Sequence, residues 1–146
     1  MSPGAPIVHP TDFSDGSEPA FVRALELAAR DGRDLVLVHV LEPIPPLLDE
    51  AGVGWTPATS RDAELAARRR MDVLLDRAKD RRVAASDVVI EGRSAEEILK
   101  VVTAVQAGTV VMGTHGRTGL IRLVMGSVAA SVLALAPCPV VTVRRT

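Results

Sequence analysis

Val111-Met112-Gly113-Thr114-His115-Gly116-Arg117-Thr118-Gly119, running on through Leu120 to Gly126-Ser127-Val128, is the segment on which the fold turns. Residues 109–112 form a short β-branched and apolar run of strand character, and the run stops at a glycine. Residues 128–135 then carry a helical pattern opened by Gly126-Ser127. The segment therefore reads strand, glycine-punctuated loop, helix, with the spacing G-x2-G-x9-G-S. A glycine at a strand end lets a ligand approach the backbone with no Cβ in the way. Ser127 reads as the cap of a helix whose first N–H groups carry the positive end of the helix dipole, and Gly126 gives a phosphate close access to them.

The rest of the chain repeats the alternation. Residues 5–9 are a buried first strand ending at Pro10, followed by the turn-rich Thr11-Asp12-Phe13-Ser14-Asp15-Gly16-Ser17. Ser17 as cap, with Pro19 in the first turn, opens a helix that Gly32 stops near Arg30. Residues 35–41 are a near-continuous apolar run, as a strand buried on both faces requires. Residues 42–59 hold Pro43, Pro45, Pro46, Pro57, Gly52, Gly54 and Trp55, and read either as a lid or interaction surface or as a solvated insertion. Ser60 or Asp62 caps a second helix reaching about Asp80, and residues 87–90 are a third strand. Ser94 and Glu97 have capping-box spacing ahead of Ile98, Val101, Val102 and Val105, and Gly108 ends that third helix. Residues 139–143 are a fifth strand. Strands and helices alternating along one chain predict a doubly wound α/β domain over residues 1–146, with an open five-stranded parallel sheet and helices on both faces.

In such a sheet, ligands bind beyond the carboxyl ends of the strands at the switch point. With strands one and four as neighbours there, Asp12 and Gly113 flank a single crevice. Gly113, Gly116, Gly126 and Ser127 then face phosphates, and Asp12 faces the ribose or base, where an anion does not repel the ligand. A turn or cap role for Asp12, and a tight-turn role for each glycine, are the structural alternatives.

Composition narrows the function. The 146 residues are 47% hydrophobic and 24% charged, with a formal net charge of −1. That is a globular balance with no bulk electrostatic demand for nucleic acid or an anionic membrane. Cys138 is the single cysteine, which excludes an internal disulfide and multi-cysteine metal sites. The opening MSPGAPIVHP lacks the regions of a signal peptide, and the 14-residue apolar run 123–136 is too short to span a membrane, so a cytoplasmic protein is expected. Neither Lys79 nor Lys100 follows a glycine as in a Walker A loop, and G-x-S-x-G and G-x-G-x-x-G are absent. His9, His39 and His115 have no metal-triad spacing, and no base is evidently placed to activate water on a γ-phosphate. The arginines at 68–70, 77, 81 and 82 interleave with acidic residues and read as a solvated face of ion pairs.

These residues carry a resemblance. The chain resembles the universal stress protein family of the ATP-binding kind over essentially its full length. The matching residues are Ile7-Val8-His9-Pro10-Thr11-Asp12-Phe13-Ser14, Leu37-Val38-His39-Val40, the 111–119 segment with Gly126-Ser127-Val128-Ala129, and Ala136-Pro137-Cys138-Pro139-Val140-Val141-Thr142-Val143-Arg144. The resemblance implies strand order 3-2-1-4-5 and a homodimer. It places adenine near Val40 and Met112, and Pro10, Thr11 and Asp12 beside the nucleoside. It places triphosphate against Gly113, His115, Gly116, Arg117, Gly126, Ser127 and Val128, with Mg2+ or Mn2+ accompanying ATP. One departure is Ala107-Gly108-Thr109, where the family often has an alanine-aspartate pair. The β-branched stretch 139–144 is expected to pair as an edge strand with its mate in the dimer. The function implied is an ATP-binding, nucleotide-dependent regulator of the stress response. The rivals are a slow ATP hydrolase on the same site and a dimeric interaction or chaperone-like module indifferent to nucleotide.

Overall fold

Ile7, Val8 and His9 lie fully buried on the central strand of the sheet, and from that strand the chain winds outward in both directions. The computed structural model describes residues 4–43, 57–114 and 125–145, without the side chains of residues 57–59. Within these the order is β1 (Ile7–Pro10), α1 (Glu18–Asp31), β2 (Leu35–Leu41), α2 (Pro57–Asp80), β3 (Ala85–Glu91), α3 (Ser94–Ala104), β4 (Thr109–Gly113), α4 (Ser127–Leu135) and β5 (Val140–Val143). The strands form one parallel sheet in the order β3-β2-β1-β4-β5. The chain thus leaves β1 toward β2 and β3, then returns past β1 to β4 and β5. That reversal is the switch point of a doubly wound fold.

Alternation of side chains along each strand sorts the core into two layers. Ile7, Leu35, Leu37 and Val111 point to one face, where Phe21 and Ala24 of α1 and Met71, Leu74 and Ala78 of α2 cover them. Val8, Val36, Val38, Val110 and Met112 point to the other, under Ile98, Val101 and Val102 of α3 and Ala129 and Val132 of α4. Two helices on each face bury both sides of the sheet, which is why the inner strands read as unbroken apolar runs.

Several boundaries and caps differ from the sequence expectation. β3 is longer than residues 87–90, because all seven of its residues pair with β2 from Leu35↔Ala85 to Leu41↔Glu91. Its edge position leaves it half-exposed and polar, so hydrophobicity alone does not mark its ends. α2 begins at Pro57, ahead of Ser60 and Asp62. The capping box at Ser94 is not formed: Arg93 is the N-cap, its side chain makes no cap bond, and Ser94 is already helical. Ser17 stands at the N-cap of α1 without a side-chain cap bond, and its hydroxyl instead donates to the Ser14 carbonyl at 3.0 Å. Gly126, not Ser127, is the N-cap of α4. Gly32 does end α1, in the left-handed conformation at φ 62°. The departure at Gly108 lies at the opposite end of the sheet from the crevice. A Cβ there would stand 2.8 Å from Arg33 Nη2, and Arg33 donates to the Ala5 carbonyl and to Thr109 Oγ1, joining the starts of β1, β2 and β4.

Candidate functional site

A crevice of about 650 Å³ opens beyond the carboxyl ends of β1, β2 and β4. Nine residues singled out from the sequence line it: Pro10, Thr11, Asp12, Val40, Met112, Gly113, Gly126, Ser127 and Val128. They come from four elements and the turn after β1, and the β1–β4 pairing brings Asp12 and Gly113 to one opening, as the switch-point argument requires. His115, Gly116 and Arg117 lie outside the described residues, as do Gly119 and, in the 42–59 segment, residues 44–56 with Trp55.

The turn after β1 is tightly specified. The Thr11 N–H continues the sheet by donating to the Val38 carbonyl at 2.8 Å, and His39 Nδ1 donates to the Thr11 carbonyl at 2.8 Å. The Phe13 N–H donates to Thr11 Oγ1, and the Ser14 N–H to Asp12 Oδ1, each at 3.0 Å. Asp12 takes the turn role, one carboxylate oxygen closing an Asx turn, and the residue also lines the crevice. Phe13 takes the left-handed conformation at φ 62°, which costs a non-glycine residue. Its ring is held at 4.5 Å from the His39 ring, with the Arg70 guanidinium 5.6 Å from its centroid on the α2 side.

Gly113 has a packing reason to be glycine. A Cβ there would stand 2.8 Å from the Gly16 carbonyl oxygen, a backbone atom that cannot step aside. The glycine lets the turn after β1 close over the end of β4. From Thr114 the backbone bridges outward: its N–H donates to the Val143 carbonyl at 3.2 Å, and its own carbonyl accepts from the Gly126 N–H at 2.7 Å. One hydrogen bond thus ties together the two ends of the glycine-rich segment. It also commits the Gly126 N–H, so the donors α4 presents to the crevice are those of Ser127, Val128 and Ala129, which precede the first intrahelical bond from Ala130 to Gly126.

Sequence reasoning missed several lining residues. Ala63, Ala66, Ala67 and Arg70 form one wall, and their spacing is that of one face of α2. Small alanines among charged residues hid that face. Arg70, read from sequence as part of a solvated charged face, is exposed and also lies over Phe13, while Arg68 and Arg77 pair with Glu64 and, on α1, Glu18. Glu42 and Ser94 line the end of the crevice nearest β2, where the Ser94 N–H donates to Glu42 Oε1 at 2.8 Å. Beneath the site, His9 is fully buried; its Nδ1 donates to the Val111 carbonyl at 2.8 Å, and Nε2 has no partner among the described residues. Burial drives its pKa down to about 4, against smaller opposing effects of the Val111 bond and of Glu18 and Asp12.

Among the described residues, no group of three or more His, Cys, Asp or Glu side chains is placed to hold a metal ion. No described helix is long and apolar enough to cross a membrane. The sequence profile of the Universal stress protein family matches residues 5–144. A universal stress protein of Thermus aquaticus is 35% identical over 133 residues, covering 91% of this chain and 93% of that one. A solved universal stress protein family member from Burkholderia pseudomallei superposes with TM-score 0.77 at 30% identity, covering 99% of each chain. Two further solved universal stress proteins share the fold at 21% identity. One, from Archaeoglobus fulgidus, is in complex with dAMP (TM-score 0.69, covering 98% of this chain and 100% of that one), and the other is in complex with cAMP (TM-score 0.65, covering 99% and 100%).

Proposed function

The chain belongs to the universal stress protein family, and from that membership we propose that it is a cytoplasmic, ATP-binding regulator whose nucleotide state governs what it presents to partners. The observation that carries the reading is the convergence of nine sequence-identified residues on one crevice at the switch point. The complexes of two relatives with dAMP and with cAMP support an adenine nucleotide as the ligand class. In this reading the adenosine lies along Pro10, Thr11, Asp12, Val40 and Met112. The triphosphate runs over Gly113 to the N–H groups of Ser127 and Val128, with His115, Gly116 and Arg117 completing its contacts.

The residues present fit such a ligand. The crevice is in the size range of small-molecule sites. Its charged lining side chains among the described residues are Asp12, Glu42 and Arg70, so a polyphosphate depends on backbone donors and the α4 dipole more than on side-chain cations. A Mg2+ or Mn2+ would be carried on phosphate oxygens and water. A homodimer through the edge strand 139–144 belongs to the same proposal. Support for it comes from β5 lying at the sheet edge with β-branched residues, and from Leu133 and Leu135 exposed on the neighbouring α4.

Calorimetric titration of ATP with magnesium into the purified chain tests the reading. Saturable, near-stoichiometric binding is expected, and no heat of binding at millimolar ATP contradicts it. The rival reading of a nucleotide-independent interaction module draws on Gly113, whose glycine is already explained by the Gly16 carbonyl.

A further inference from the structure

β5 ends beside the β4 end of the crevice, and the chain beyond it carries Arg144 and Arg145. In the β4–β5 register Gly113 faces Val143, and the Thr114 N–H donates to the Val143 carbonyl at 3.2 Å. Arg144 therefore stands one interstrand spacing, about 5 Å, from Thr114. The Thr114 carbonyl in turn accepts from the Gly126 N–H at 2.7 Å, so the backbone of Arg144 is linked through Thr114 to the N-cap of α4. An extended arginine side chain spans that separation.

Alternation along the strand decides which way each arginine faces. Val141 and Val143 pack with the core under α1 and α2, and Val140 with the core under α3 and α4. Continued past the strand, the same alternation sends Arg145 to the α1 face and Arg144 to the α4 face. Arg145 conforms, pairing at 3.7 Å with Asp15 in the turn that leads into α1. Arg144 is exposed and makes no ion pair among the described residues. The crevice itself has Arg70 on its α2 wall and carboxylates at Asp12 and Glu42; among the described residues no cation lines its α4 end.

We infer that Arg144 supplies the cation for the outer phosphates of a nucleoside triphosphate seated on α4, so that affinity rises with the number of phosphates. The inference rests on the nucleotide reading above and adds to it a residue that does not line the crevice but reaches it from the end of β5. In that reading the phosphates run over Gly113 toward α4. A monophosphate stops short of Arg144, and the outer phosphates come within its reach. Each further phosphate brings negative charge to a site that already holds two carboxylates, and a charge-assisted bond to the guanidinium offsets that repulsion. Edge pairing of β5 engages backbone groups, which leaves this side chain to the ligand.

Arg144→Gln tests the assignment, since it removes the charge from an exposed residue beyond the last strand and leaves the core untouched. ATP with magnesium, and AMP, are titrated calorimetrically into both proteins at one low ionic strength. The wild type is expected to bind ATP about tenfold more tightly than AMP. The variant is expected to lose about three- to tenfold in ATP affinity with its AMP affinity unchanged, the scale of one exposed charge-assisted contact. Equal affinities for ATP and AMP in the wild type overturn the inference without any variant. Unchanged ATP affinity in Arg144→Gln, or an equal fall for ATP and AMP, overturns it while the nucleotide reading stands. Binding of neither nucleotide by the wild type overturns the nucleotide reading together with this one.

Discussion

His9 shows how much a single position on the central strand can decide. Its ring is buried against Phe21, with Nδ1 satisfied by Val111 and Nε2 without a partner among the described residues, so the folded protein holds it neutral. A folded-state pKa lowered to about 4 means that, from roughly pH 6.5 downward, the unfolded chain takes up a proton the native one refuses. Stability from this residue is complete above pH 6.5, falls as the pH drops and levels off below about 4. His9→Asn keeps a donor for the Val111 carbonyl and removes the titration. Between pH 7 and pH 5 the wild type is expected to lose about 2 kcal/mol more than the variant, read from urea midpoints at the two pH values. Equal losses contradict the account. Sequence showed His9 as a packed strand residue, but not the buried orphan nitrogen, which depends on what α1 lays over it. Gly113 is the opposite case. Its glycine was legible, but one of its reasons, the Gly16 carbonyl against it, exists only once β1 and β4 are neighbours.

At the scale of elements, α4 carries the phosphate end of the proposal. Gly126 is extended at φ −62° and ψ 158°, the conformation favoured before a proline, and Ser127 is the first helical residue, where proline is well tolerated. Ser127→Pro therefore deletes one crevice-facing N–H and the hydroxyl while leaving the helix start intact. Its melting temperature is expected to stay within a few degrees of wild type, and its ATP affinity to fall by about tenfold or more. Undiminished affinity would remove α4 from the site. The existence and order of the elements were legible in the sequence, because buried parallel strands and amphipathic helices have distinct periods. The caps were not. Ser94 and Ser127 each stand one position inside the helix they were read as capping, since Arg93 and Gly126 take the extended cap conformation. The α2 wall was hidden too, because Ala63, Ala66 and Ala67 are apolar too weakly to stand out on a charged helix.

The whole molecule places its site where its winding reverses, and leaves one β-branched strand at an edge. The Val110 N–H donates to the Pro139 carbonyl and the Thr114 N–H to the Val143 carbonyl, so residues 139, 141 and 143 bond to β4 while the backbone of Val140 and Thr142 points outward. Thr142→Pro removes an outward donor and spares the β4 ladder. Light scattering at micromolar concentration is expected to give the mass of two chains for wild type and of one for this variant; a monomeric wild type contradicts the dimer. Strand order came from the resemblance and the parallel sheet from periodicity, whereas the depth and walls of the crevice needed the packed structure. The central claim, that this crevice holds ATP, is tested most directly on the protein as purified. Denaturing it and identifying the released nucleotide by chromatography and mass is predicted to yield ATP in near-stoichiometric amount. No released nucleotide, followed by no binding of added ATP with magnesium, would contradict it and leave the glycine-rich segment with a structural role.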